Sequence, residues 1–266
     1  MRVLTAIALI SLCELTIAAE PALSTAQRRE RVQTIRAMMQ SFKPMLGEEG
    51  SLKPLTLAAE PALLYADNER DLSDASVWAW EADGKLAALS GAEWRPKEGT
   101  GGIWSFECAS LSPDSIRVTI PTGDWTFKKG AVRLQAVTGA PVAAMSRPQR
   151  LVQLRKIADR FTAASFSSLQ GRIELRRLAA PLYRQAESVA GDSALFAFAN
   201  GTNPEVLLLL STEGASMPWN YTVASLSGDG ASAQLDEQEV WRVEKYTGPN
   251  SRPAYINGRL KSEPLP

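Results

Sequence analysis

The amino-acid sequence predicts an α+β protein, a tandem duplication of an amphipathic helix packed on an antiparallel β-sheet of about four strands per copy. Three observations carry that expectation. Trp104-Ser-Phe106-Glu-Cys-Ala109-Ser110-Leu111-Ser112 is matched 115 positions later by Trp219-Asn-Tyr221-Thr-Val-Ala224-Ser225-Leu226-Ser227. Further matches lie upstream at offsets of 118, 120 and 122, the order that small deletions in a second copy leave. Each copy also runs from an apolar stripe at helical spacing into stretches that alternate with a period of two.

The elements follow in chain order. Residues 1–19 read as an export signal: Arg2 supplies a positive start, Val3 to Leu12 an apolar run, and Ile17-Ala18-Ala19 a cleavage site before Glu20. Lipid attachment at Cys13 would need a small residue before it, and Leu12 stands there. The first copy is expected over 20–140. It opens with Ser24-x-x-Gln27, a capping box, and an apolar row of Val32, Ile35, Met39 and Phe42. The second copy, expected over 141–247 after the break at Gly139-Ala140-Pro141, opens with Ser146-x-x-Gln149 and the row Leu151, Leu154, Ala158 and Phe161. Pro148 falls early in that helix, where its missing amide matters little.

An extended segment comes next, Leu57 to Tyr65 in one copy and Leu178 to Tyr183 in the other. A hairpin follows. Its first strand holds Val77-Trp78-Ala79-Trp80 or Leu195-Phe196-Ala197-Phe198, and Asp83-Gly84 marks the first turn because glycine accepts the positive φ required. The second turn, Asn200-Gly201-Thr202-Asn203-Pro204, is expected to be a few residues longer. Val206 to Leu210 is continuously apolar and needs cover on both faces. Trp104, Phe106 and Cys108 alternate with polar neighbours, as in a sheet with one buried face. Trp125 to Phe127 and Val132 to Val137 close the first sheet, and Val240 to Glu244 the second. The Pro-, Gly- and Ser-rich tail, 248–266, is expected to be loosely held.

Composition excludes several function classes. With 29 basic and 29 acidic residues and no basic stripe, the chain lacks the charge that binding nucleic acid requires. The absence of histidine removes Ser-His and Cys-His catalysis and histidine metal sites. After signal cleavage Cys108 has no partner for a disulfide, and it reads as a small buried hydrophobe. No Walker loop, dinucleotide fingerprint, nucleophile elbow or metal-ligand spacing is present. No cofactor, metal, nucleic-acid partner or transmembrane span is therefore expected.

Pro181-Leu182-Tyr183-Arg184, with Ala194 to Leu209, Trp219 and Ala224-Ser225-Leu226-Ser227, resembles a family of exported planctomycete proteins of unknown function. Val77-Trp78-Ala79-Trp80-Glu81 fits the family's earlier half. One departure is Gln185, where such proteins commonly carry an aromatic. The resemblance implies bacterial origin and export to the periplasm or medium, and it brings no catalytic residue.

The candidate binding residues are Trp94, Trp125, Glu81 and Glu107. Trp78, Trp80, Trp104 and Trp219 fall on inward faces and read as core, whereas Trp94 and Trp125 lie nearer turns and could stack on a sugar. Without histidine, hydrolysis would fall to carboxylates, and Glu81, Glu93 and Glu107 flank the aromatic strands. Strict alternation puts Glu81 and Glu107 opposite the tryptophans, on the expected solvent side, and the aligned places in the second copy are Ala199 and Thr222. Asn200-Gly-Thr202 and Asn220-Tyr-Thr222 match the glycosylation pattern, and Arg28, Arg29, Arg31 and Arg36 make the first helix basic. No catalytic residue is assigned. The expectation is a non-catalytic exported binding or structural protein of the cell envelope, whose partner would be an envelope protein or polysaccharide. Its alternatives are a carboxylate-based hydrolase acting on carbohydrate and a carrier of a small apolar ligand, which requires a cavity.

Overall fold

The computed structural model describes residues 25–67, 72–95, 103–168, 170–187 and 190–260. The export signal, Cys13 and the Ser24 cap lie outside them. Helix α1 (Thr25–Gln40) leads into β1 (Lys43–Leu46), β2 (Lys53–Pro54), β3 (Thr56–Leu57), β4 (Leu63–Asp67), β5 (Leu72–Ala82) and β6 (Lys85–Arg95). Strands β7 (Ile103–Ser110), β8 (Ile116–Ile120), β9 (Gly123–Phe127) and β10 (Gln135–Ala136) follow. Helix α2 (Arg147–Ala158) then opens β11 (Phe161–Ser167), β12 (Gly171–Arg177), β13 (Tyr183–Arg184), β14 (Asp192–Asn200) and β15 (Asn203–Thr212). The last strands are β16 (Asn220–Ser225), β17 (Gly230–Leu235), β18 (Gln238–Val243) and β19 (Tyr255–Leu260).

The α+β expectation is therefore corrected: the molecule is mostly β, with two helices and nineteen strands among the described residues. The helices contribute little core. Only Ile35 and Met39 of α1 and Leu154, Ile157 and Ala158 of α2 are buried. The stripes in the sequence overstated them because Phe42 and Phe161 lie beyond the helix ends, in the approach to β1 and at the start of β11. Segments with charged residues at alternate places, such as Gly171–Arg177, are also strands, so four per copy is too few. Ser146 does cap α2, accepting from the Gln149 amide at 3.4 Å.

The strands pair antiparallel throughout. One sheet runs β10-β16-β15-β14-β12-β11-β17-β18, with β13 also on β14. The first half divides the same path into β19-β7-β6-β5-β3, with β4 also on β5, and β2-β1-β8-β9. Leu55 makes the break between β2 and β3, its amide bonding the Pro44 carbonyl, whereas β12 passes unbroken between its two neighbours.

Registers recur across the halves. Val77 opposite Gly91 and Leu89 opposite Ala109 correspond to Leu195 opposite Leu209 and Leu207 opposite Ala224. The ladder slips between Trp80 and Glu81 in one half and between Phe198 and Ala199 in the other. Both hairpins close with two-residue turns, Asp83-Gly84 and Gly201-Thr202, so the second is not longer as expected. Each serine turn is held alike: Ser110 Oγ accepts from the Ser112 amide at 3.3 Å, and Ser225 Oγ from the Ser227 amide at 3.2 Å. Arg31 pairs with Asp74, and Arg150 with Asp192 at 2.9 Å, tying each helix to the first strand of its hairpin.

Three cores result. Trp78, Trp80, Trp94, Trp104 and Phe106 fill the inside of the first half with Ile35 and Met39. Phe196, Phe198, Trp219 and Tyr221 do so in the second with Leu154 and Ile157. The opposite faces pack on each other, Val77, Ala79, Leu89 and Ala109 against Leu195, Ala197, Leu207, Leu209 and Ala224. Val206 to Leu210 is covered on both faces because its even-numbered residues face one core and Leu207 and Leu209 the other.

Each half lends its outermost strand to the other. β10, from the end of the first half, pairs with β16; β19, from the end of the chain, pairs with β7. The tail is thus not loose over 255–260, where Tyr255 and Ile256 are buried. Nor does the break near Gly139 divide the sheets, since Gln135 and Ala136 already belong to the second.

Candidate functional site

Where β19, β7 and β6 lie side by side, alternation sends Tyr255, Asn257 and Arg259, then Ser105 and Glu107, then Gly91 and Glu93 to one face. That face is the joint between the two sheets. The sequence reading had assigned it to solvent, which is corrected here: the sheet opposite the tryptophans meets its counterpart, so both faces are covered. A cleft of about 490 Å³ opens at the edge of the joint, lined by Glu93, Arg95, Ser105, Glu107, Asn257 and Arg259 among others.

Glu93 is only 5% exposed. Its carboxylate accepts from Tyr65 Oη at 3.2 Å, Arg95 at 3.0 Å and Ser105 Oγ at 3.4 Å. Tyr65 Oη also lies 3.1 Å from Asn203 Oδ1 of the second half, so the cluster spans the joint. Glu107 is a diagonal neighbour of Glu93 on the next strand, their Cβ atoms about 7–8 Å apart. Its Oε1 accepts from Tyr255 Oη at 2.6 Å, and Asn257 Nδ2 donates to that same hydroxyl at 3.1 Å. Burial pushes the Glu107 carboxyl up to about 8, and the nearby charges of Glu93 and Glu205 add to the effect. Tyr255 is raised by burial and by Glu107. At neutral pH Glu107 is thus mainly protonated and can donate as well as accept a hydrogen bond.

The matching places in the second half are neutral. Ser211 stands for Glu93, Thr222 for Glu107, Leu209 for Gly91 and Val132 for Tyr255. Ala87 matches Glu205 in the same way. A cleft of about 390 Å³ exists there as well, lined in part by Leu209, Ser211 and Thr222. The cavity therefore comes with the architecture, and the carboxylates are an addition to one half of it.

Of the four candidate binding residues, the structure brings only Glu107 into the cleft, together with Glu93 of the three candidate carboxylates. Glu81 lies four residues along β5 from Val77, which is level with Glu107, so about 13 Å of strand separates them. It faces Tyr183, whose hydroxyl is raised by burial and by Glu81. Trp94, expected to be exposed, is 6% exposed and packs on Trp104 with ring centroids 5.1 Å apart. Alternation on β6 turns its ring inward. Trp125 is half-buried, edge-on to Phe106 at 6.1 Å. Neither indole lines the cleft. Sequence reasoning missed Tyr255 and Asn257, although Tyr255-Ile-Asn-Gly-Arg-Leu260 alternates as a half-buried strand does. Tyr65 meets Glu93 across β5 within the first half, whereas Asn203 and Glu205 carried no signal, since only the packing of the halves brings them near Glu107.

Among the described residues no group of acidic or cysteine side chains could hold a metal ion, and no helix is long and apolar enough to cross a membrane. Cys108 is buried, and burial pushes its thiol up to about 12, so it is no nucleophile at neutral pH. No family model, curated protein or solved structure matches the chain.

Proposed function

We propose that the protein is an exported, non-catalytic binding protein of the cell envelope that holds a small hydroxyl-rich molecule, a saccharide, in the cleft beside Glu93 and Glu107. The observation that carries this reading is the pair of carboxyl groups, Glu93 buried and Glu107 half-buried, on one side of a framework whose other side is neutral at the same places. A protonated Glu107, the Asn257 amide, the Ser105 hydroxyl and the Arg95 and Arg259 guanidinium groups present donors and acceptors at close spacing. That mixture suits hydroxyl groups, each of which both donates and accepts. Export is supported by the character of residues 1–19.

Hydrolysis is the second reading, favoured by a raised acid next to another carboxylate. Against it, Glu93 is buried, and Tyr65, Arg95 and Ser105 already engage its oxygens. A nucleophile or base needs a free oxygen facing the substrate.

Thermal unfolding of the mature chain with glucose, N-acetylglucosamine and their β-1,4-linked dimers tests the reading. Binding at about 100 times Kd adds about 2.7 kcal/mol and raises Tm. Glu107→Ala and Asn257→Ala should abolish the rise, and no monosaccharide should be released from the dimers. No rise with any of the four sugars contradicts the binding reading, and release of monosaccharide favours the hydrolase.

A further inference from the structure

A second cavity, of about 330 Å³, lies in the second half at the seam between β16, β18 and the segments around residues 131–135 and 252–255. That volume is at the lower end of the range small-molecule pockets occupy. Its walls are chiefly apolar: Val132, Val223, Val240, Trp241 and Val243 line it, with Tyr255 at one side. Arg133, Arg242 and Arg252 also border it, the Arg242 guanidinium lying over the Phe166 ring at 4.8 Å, and no acidic residue lines it.

The three cations differ in how they are held. Arg242 is bound by Glu239, the closest approach being 2.5 Å. Arg252 is 5% exposed and lies over the Tyr255 ring at 5.3 Å. It spends its donors on the carbonyls of Glu244, Ser227, Gly228 and Asp229 and on Ser225 Oγ. None of these bonds is to a carboxylate, so a buried positive charge stands beside the cavity. Burial accordingly holds the Arg252 guanidinium below its usual range. Arg133 is exposed at the rim, and its guanidinium has no hydrogen-bond or ion-pair partner among the described residues.

The first half is filled at one of the matching places. There Phe127, fully buried, stands where the second half has Val243, and a void of only about 10 Å³ remains beside Phe42, Trp80 and Cys108. The opening in the second half is therefore not forced by the shared pairing of strands.

We infer that this seam is a binding site for a small amphipathic anion, a carboxylate or sulfonate carried on an alkyl or aryl body. The apolar body enters between Val223, Val243 and Trp241, and the anionic end meets Arg133 at the rim within the field of Arg252. This site is separate from the Glu93–Glu107 cleft and does not depend on that reading, although Tyr255, which lines it, also hydrogen-bonds Glu107.

Isothermal titration of the mature chain with octanoate, and with 1-octanol as the uncharged match, tests the inference. Octanoate should bind one to one and octanol at least about tenfold more weakly, the difference one charged contact makes. Val243→Phe, which installs the side chain the first half tolerates at this position, should weaken octanoate by at least about tenfold. Arg133→Gln, at an exposed residue that leaves the fold intact, should weaken octanoate about fivefold and leave octanol unchanged. Absence of saturable octanoate binding, equal binding of octanol, or wild-type affinity in Arg133→Gln would overturn the inference. So would wild-type affinity in a folded Val243→Phe variant.

Discussion

Glu107 is half-buried at the cleft, with Tyr255 on its carboxylate and Glu93 close by, and its chemistry changes accordingly. A carboxyl raised from 4.5 in the unfolded chain to about 8 in the folded one favours folding fully below the lower value. That contribution is lost as pH rises through the upper one. Between those limits stability should fall by about 1.4 kcal/mol per pH unit, and Glu107→Gln should flatten the dependence. Urea unfolding at half-unit pH steps measures both slopes. Asp192 behaves in the opposite sense. Burial pushes it up, but hydrogen bonds from Arg184 and Arg150 hold it below the usual carboxylate range. Asp192→Asn leaves two partly buried guanidinium groups without their anion and should cost about 3–5 kcal/mol at pH 7, read as a lowered urea midpoint. At this scale the sequence announces Glu107, an acid between Phe106 and Cys108 on an aromatic strand. It does not announce Glu205 or Asn203, whose proximity depends on a contact more than 90 residues away.

The hairpins and the serine turns are the elements the sequence makes legible, because their signals are local. Asp83-Gly84 takes positive φ at both residues, 51° and 75°, as a tight two-residue turn requires. Trp-x-aromatic followed by Ala-Ser-Leu-Ser falls on β7 and β16 at matching registers. The helices were overread, since a stripe of four apolar residues continues beyond the helix into a strand without a change of residue type. β19 was missed for a different reason: Pro253 and Gly258 mark it as irregular, yet the glycine is there to admit a neighbour. A Cβ at Gly258 would lie 2.7 Å from the Phe106 ring. Gly258→Ala should therefore displace β19 or Phe106 and cost about 1–3 kcal/mol, with Tyr255 drawn away from Glu107. In contrast, Trp104→Ala removes a buried indole and should cost about 3–5 kcal/mol, measured by the same unfolding curves.

The molecule as a whole is two antiparallel halves, one a nine-stranded sheet and the other split into sheets of six and four strands, which repeat one set of registers, back on each other and exchange their outer strands. A chain ending at Thr247 would strip β19 from β7, uncover Phe106 and remove the hydroxyl that holds Glu107. Loss of a single cooperative transition in such a chain is the expected outcome, and an unchanged melt would show that the exchange is decorative. The repeated framework also explains why the candidate sites are recognised by departure from symmetry: carboxylates at the joint of one half, an unfilled seam in the other. The most direct test of the account is a carbon-13 carboxyl titration of Glu107 in the full mature chain, with and without the saccharide that raises Tm. A midpoint of about 8 in the free protein, displaced when the sugar is bound, is the predicted result. A midpoint near the ordinary 4.5, indifferent to the sugar, would contradict it.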